Sequence, residues 1–195
     1  GFDSVWIQPA SGDAGGAIGA VLDVWYQSLG GRRKVSATDS LQGSKLGPAY
    51  SDGEVEQFLQ STEAVYTRFD TVAQLTHGVA ELLAEQAIVG WFQGRMEFGP
   101  RALGGRSILG DPRADSTQKI MNLKTKHRES FRPFAPSVLA EHAADYFDLP
   151  GDNESPYMLL VAQVAQAKRL TVNDAQTGFE QLYQRRSTIP AVTHV

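Results

Sequence analysis

An α/β fold is what this sequence predicts, on three observations. Apolar residues recur at helical spacing between Thr71 and Gln86, at Val72, Leu75, Val79, Leu82 and Leu83. Ser51 and Glu54 stand at capping-box spacing ahead of a second helical face made by Val55, Phe58 and Leu59. Short apolar or alternating runs, Ala87 to Phe92 above all, read as strands between such helices. The chain has 195 residues, 42% hydrophobic and 21% charged, which is enough to bury a core without covalent staples.

Taken in order, residues 4–9 read as a short buried strand ending at Pro9, and a helix follows from about Gly15 to Ser28. Gly30-Gly31 stops it, and the polar, aperiodic stretch from Arg32 to Ser44 reads as a linker. After the Ser51 helix, Ala64 to Phe69 alternates as a strand does. The helix of 71–86 leads into a buried strand over 87–92, and 94–113 reads as a Gly- and Arg-rich loop. Ser116 to Thr125 reads as a helix capped by Asp115 or Ser116. A strand is expected over 134–139, a helix over 141–147, a strand over 158–164, and a turn or short helix over 177–184. Trp6, Trp25 and Trp91 are expected in cores.

With no cysteine, the chain has no disulfide framework, Cys-ligated zinc, iron–sulfur cluster or thiol chemistry. No apolar run is long enough for a transmembrane helix, so no membrane partner is expected and a cytoplasmic location is. The start, Gly1-Phe2-Asp3, lacks methionine and reads as a cut into a larger protein. Net charge is −4, which weighs against a general nucleic-acid binder. Yet nine of the 18 Lys and Arg lie between Gly94 and Arg132, against four acids. Concentrated positive charge in an acidic chain suits a small polyanion.

Two stretches carry that charge. Gly94-Arg95-Met96-Glu97-Phe98-Gly99-Pro100-Arg101-Ala102-Leu103-Gly104-Gly105-Arg106 can turn backbone N–H groups onto an anion, and Arg101, Arg106 and Arg113 can add forked guanidinium donors. No Gly-Lys-Ser/Thr follows, so this is not a Walker loop. In Lys124-Thr125-Lys126-His127-Arg128-Glu129-Ser130-Phe131-Arg132-Pro133-Phe134-Ala135-Pro136-Ser137, four cations repel one another unless solvated or neutralised by an anion. Phe131 and Phe134 are expected to hold Arg132, and the prolines to stiffen the turn. A solvated basic face is the plainer alternative.

Residues 90–109 and 123–137 closely resemble the O-carbamoyltransferases of the nodulation and antibiotic-tailoring type, and Pro9-Ala10-Ser11-Gly12-Asp13-Ala14-Gly15-Gly16-Ala17-Ile18-Gly19-Ala20 resembles the segment upstream. The resemblance implies a YrdC/Sua5-like twisted mixed sheet with flanking helices. A short remnant of an actin-like ATPase (Kae1-like) domain would precede it. The implied divisions are 1–30 for the Kae1-like tail, 31–45 for the linker and 46–195 for the YrdC-like domain. The implied chemistry joins carbamoyl phosphate and ATP, with Mg, into carbamoyl adenylate. The Kae1-like part then passes the carbamoyl group to a hydroxyl of a small-molecule or sugar acceptor, a reaction of EC 2.1.3 type. Partners would be these small molecules and the rest of the same polypeptide.

The resemblance places Arg101, Lys126 and Arg132 at the catalytic polyanion site, with Arg95, Arg106, Arg128 and Ser137 as further nucleotide- or loop-binding residues. It makes Asp13 a ligand of iron or another divalent metal in the full-length Kae1-like domain, together with two histidines upstream of this chain. Without it, Asp13 reads equally as a helix cap. Gly105 stands where the family usually has Asn, and His127 where it often has an aromatic residue. The family would continue past Val195 into an Asn-Thr-Ser-Phe-Asn-like motif, so the isolated chain is expected to bind nucleotide weakly and not turn over. Two alternatives stay open: a non-catalytic phosphate- or RNA-binding module, and Sua5-like threonylcarbamoyl-adenylate synthesis.

Overall fold

Gly30, with φ of +63°, and the bond from Gly31 N to Trp25 O at 2.8 Å end the first helix of the chain, α1 (Asp13–Asp23), after it has widened into a π-helical turn over Val24–Ser28. A computed structural model describes residues 7–149, 154–172, 178, 181 and 184–193. The expected helix is therefore present and starts two residues early. Half of the strand expected over 4–9 falls outside the described residues, and Ile7, Gln8 and Pro9 form none. No regular element spans Arg32 to Leu41, and a single 3-10 turn covers Gln42–Ser44.

Helices α2 (Asp52–Ser61) and α3 (Val72–Ala84) start where the sequence places them, because the capping boxes form. The Glu54 carboxylate accepts from Ser51 N at 2.8 Å while Ser51 Oγ accepts from Glu54 N at 3.3 Å. Thr71 and Gln74 do the same at 3.2 Å in both directions. Strand β1 (Val89–Phe92) pairs with β2 (Arg106–Leu109) in a two-stranded sheet. β2 corrects the reading of 94–113 as loop throughout, since Ser107-Ile108-Leu109 supplies an apolar strand once Gln93 N has bonded Gly105 O at 2.9 Å. β1 is not buried as expected: its residues alternate between half-buried and exposed, Phe92 at 56%.

Helix α4 (Thr117–Ile120) continues as a π-helical turn over Met121–Thr125. Neither expected cap forms. Ser116 is already helical in φ and ψ, and its hydroxyl donates to Gln86 Oε1 at 3.3 Å. A 3-10 turn over Ala140–His142 leads into α5 (Ala143–Tyr146), and β3 (Phe147–Asp148) pairs antiparallel with β4 (Gln163–Val164). The strands expected over 64–69 and 134–139 are absent. The first finds no partner and leaves Val65 fully exposed, and in the second Pro136 interrupts the N–H donors a ladder needs. Only Gln163–Val164 of the strand expected over 158–164 is formed, and the element expected over 177–184 lies largely outside the described residues.

The chain divides into two compact units. The first holds Gly1–Arg68, Trp91–Ser107 and Ser155–Leu159, and among its described residues the buried side chains include the polar Ser44 and Glu97. α1 is solvent-facing there: Trp25 is 50% exposed, against the expectation of a core tryptophan, and Trp91 is half-buried. Trp6 lies outside the described residues. The second unit, Phe69–Gly90, Ile108–Glu154 and Leu160–Val195, buries Met121, Ala143, Ala165, Ile189 and Ala191. The result is a mixed α/β chain with two small sheets, and among the described residues no helix is long and apolar enough to cross a membrane.

Candidate functional site

In the first unit the Gly- and Arg-rich stretch is built around a carboxylate. Phe98 N bonds Ser44 O at 2.7 Å, Gly47 N bonds Met96 O at 2.9 Å and Met96 N bonds Pro48 O at 2.9 Å, so the backbone of 44–48 runs along 96–98. Glu97, its side chain 4% exposed, is placed inside the loop that follows. Its Oε1 accepts from Leu103 N at 2.7 Å, Gly105 N at 2.6 Å, Arg106 N at 3.3 Å and Lys45 Nζ at 3.3 Å. Lys45 also donates to Leu103 O at 2.8 Å. Burial pushes the Glu97 carboxyl up, but the backbone N–H groups of Leu103, Gly105, Glu97 itself and Arg106 outweigh it and hold the group at about 2. Gly99 and Gly104, with φ of +115° and +92°, make the reversals on either side. Gly105 has no room for a side chain, since a Cβ there would lie 2.6 Å from Arg95 O and 3.0 Å from Glu97 Oε2 and Lys45 Nζ.

Arg101 sits midway along this loop, exposed, with no side-chain hydrogen bond or ion pair among the described residues. Its neighbours are committed to the protein itself. The Arg106 guanidinium lies 3.4 Å from the Phe92 ring centroid and donates to Gly94 O at 3.1 Å and Gly105 O at 2.9 Å. Arg95 donates to Gly47 O at 3.0 Å.

In the second unit the basic turn follows the π-helical end of α4. Lys126 N bonds Met121 O at 2.9 Å, His127 takes φ of +49°, and Arg128 N bonds Asn122 O at 3.0 Å. Asn122 is fully buried; its Nδ2 donates to Ser130 O at 3.1 Å and Arg132 O at 2.8 Å, and its Oδ1 accepts from Arg128 Nε at 2.6 Å. Arg128 also lies 5.0 Å from the Phe134 ring, so Phe134 holds Arg128 and not Arg132. Arg132 is half-exposed, with Glu129 at 3.8 Å, and Lys126 is exposed with no side-chain partner among the described residues. Ser137 is exposed. Arg113 forks onto the buried Asp111 at 2.7–3.0 Å, and that hydrogen-bonding holds the Asp111 carboxyl below its usual range.

Asp13 stands exposed at the head of α1 and makes no capping bond. Among the described residues no three His, Asp or Glu side chains are grouped to hold a metal, and one exposed carboxylate does not fit iron. His77 and His142 are surface residues paired with Glu81 at 3.2 Å and Asp145 at 2.9 Å. An open hollow of about 570 Å³ against His142, Asp145, Tyr146 and Lys168 includes none of the predicted site residues.

Sequence reasoning missed Glu97, Lys45 and Asn122. Glu97 carried a signal, because a loop with so many unpaired backbone N–H groups needs an acceptor within it. Asn122 carried another, as a carboxamide beside Met121 within a predicted helix, where a buried amide must find partners. Nothing marked Lys45.

The family model described as Carbamoyltransferase C-terminus matches residues 80–195, and the chain belongs to that family. Both long motifs, 90–109 and 123–137, lie inside the match. The chain is 55% identical over 199 residues to an uncharacterised protein of Synechocystis sp., covering all of this chain and 32% of that protein. It is 42% identical over 168 residues to nodulation protein NolO of Bradyrhizobium diazoefficiens, covering 86% and 30%. It is 30% identical over 166 residues to 3'-hydroxymethylcephem-O-carbamoyltransferase of Streptomyces clavuligerus, covering 84% and 28%. The chain thus spans about a third or less of the length of these curated relatives.

Proposed function

We propose that this chain forms part of an O-carbamoyltransferase that activates carbamoyl phosphate with ATP and passes the carbamoyl group to a hydroxyl acceptor. In the activation, inorganic phosphate leaves the carbamoyl group with the uptake of water, pyrophosphate leaves ATP, and a carbamoyl oxygen bonds the α-phosphorus to give carbamoyl adenylate. In this reading residues 46–195 belong to a YrdC-like activating domain, 31–45 to a linker and 1–30 to a Kae1-like transfer domain.

The observation that carries the reading is how the cations are sorted. Arg95, Arg106, Arg113 and Arg128 are engaged with carbonyls, an aspartate or an asparagine. Among the described residues the side chains of Arg101 and Lys126 have no partner, as is also true of Lys119 and Lys124, and Arg132 meets an exposed Glu129 at 3.8 Å. Phosphoryl chemistry needs cations that are positioned but not neutralised, so that they meet charge developing on non-bridging and leaving oxygens. In this reading Lys126 and Arg132 of the second unit bind those oxygens, Arg101 of the first unit is a catalytic residue on the family resemblance, Arg95, Arg106 and Arg128 hold their loops, and Ser137 is a further binding residue on the same resemblance.

The test is carbamoyl-phosphate-dependent exchange between ATP and pyrophosphate by the complete protein. Arg132→Ala should lower it roughly ten- to hundredfold, the loss of one charge-assisted hydrogen bond of about 1.5–3 kcal/mol. Full exchange in that variant overturns the assignment. Tight retention of RNA without any exchange would favour the binding-module reading.

A further inference from the structure

We infer that Gln118 and Asn122 are positioning residues: two carboxamides, four residues apart and so on one helical face, that set where the turn after α4 presents Arg132. The inference rests on the ATP and carbamoyl-phosphate reading above. The turn between Lys126 and Arg132 has no helix or strand of its own. Instead Gln118 Nε2 donates to Phe131 O at 3.1 Å and Arg132 O at 3.2 Å, and Asn122 Nδ2 donates to Ser130 O at 3.1 Å and Arg132 O at 2.8 Å. The Arg132 carbonyl thus receives both amides. Asn122 is wholly buried, and both its donors and its oxygen are used.

The chemistry of the two side chains matters as much as their place. A carboxylate could not donate to these carbonyls, and it would compete with an incoming phosphate for the cations around it. A neutral amide holds the backbone, and through Oδ1 also Arg128, without cancelling any positive charge.

The experiment measures dissociation constants for ATP and for carbamoyl phosphate by titration calorimetry on the complete protein, alongside urea unfolding. Gln118→Met removes two hydrogen bonds from a half-buried surface position and keeps the side-chain volume. It is expected to weaken ATP binding roughly tenfold with the urea midpoint little changed. In an Arg132→Ala background the same change should have no further effect, because Gln118 acts through Arg132. Asn122→Ser should act in the same direction, and if it does not fold, Gln118→Met still decides. Wild-type affinity in folded Gln118→Met, while Arg132→Ala weakens binding, overturns the inference and leaves the functional reading standing. Unchanged affinity in Arg132→Ala itself ends the reading, and the inference with it.

Discussion

Glu97 concentrates on one oxygen the acceptor work of a whole loop, and its titration should be visible in stability. Its carboxyl is held at about 2, below an ordinary value of 4.5, so its contribution is complete above pH 4.5 and is lost as pH falls from 4.5 towards 2. The contribution is on the order of 3 kcal/mol. Urea midpoints measured across that window should fall steeply for the natural chain, and Glu97→Gln should flatten the fall. Gly105 belongs to the same device. Gly105→Ala sets a methyl 2.6 Å from the Arg95 carbonyl, a backbone atom that cannot swing aside, and should cost about 1–3 kcal/mol in chemical denaturation. The two kinds of arginine should separate as well. Arg106→Ala should lower the melting temperature, since it strips a stacked guanidinium from Phe92 and the Gly94 and Gly105 carbonyls, whereas Arg101→Ala should leave it unchanged and weaken ATP binding.

For α2 and α3, caps decide more than burial does. α3 has no fully buried residue, so its start depends on the Thr71–Gln74 box, and Thr71→Ala should cost about 1 kcal/mol by urea unfolding. The end of α4 works in the opposite sense. His127 occupies the left-handed region at φ of +49°, where a side chain is strained. His127→Gly should therefore raise stability by about 0.5–1 kcal/mol, provided the bonds from Lys126 N to Met121 O and from Arg128 N to Asn122 O persist. Amide exchange at Lys126 and Arg128 reports whether they do.

Across the molecule, charge is distributed as a polyanion site requires, with half the cations in the 94–132 segment of a chain whose net charge is −4. On the proposed reading, a site that takes one small polyanion should lose ATP affinity only moderately between about 50 and 200 mM salt, while a nucleic-acid surface with many phosphate contacts would lose it by orders of magnitude. Titrations at the two salt concentrations separate these behaviours. Local signals written in the chain were read: the Ser51–Glu54 capping box, the α1 stop at Gly30, the helical period of α3, and the two long motifs that proved to lie within the matched family. Each depends on residues within a few positions of one another. β2, the missing strands at 64–69 and 134–139, and the exposure of Trp25 were not readable, because a strand exists only if a distant segment offers a partner and a side chain is buried only if something covers it. The sequence alone determined which cations are present and in which turns. Tertiary structure decided which of them are engaged, because Lys45 meets Glu97 across 52 residues and Arg95 meets the Gly47 carbonyl across 48, contacts that no local pattern encodes.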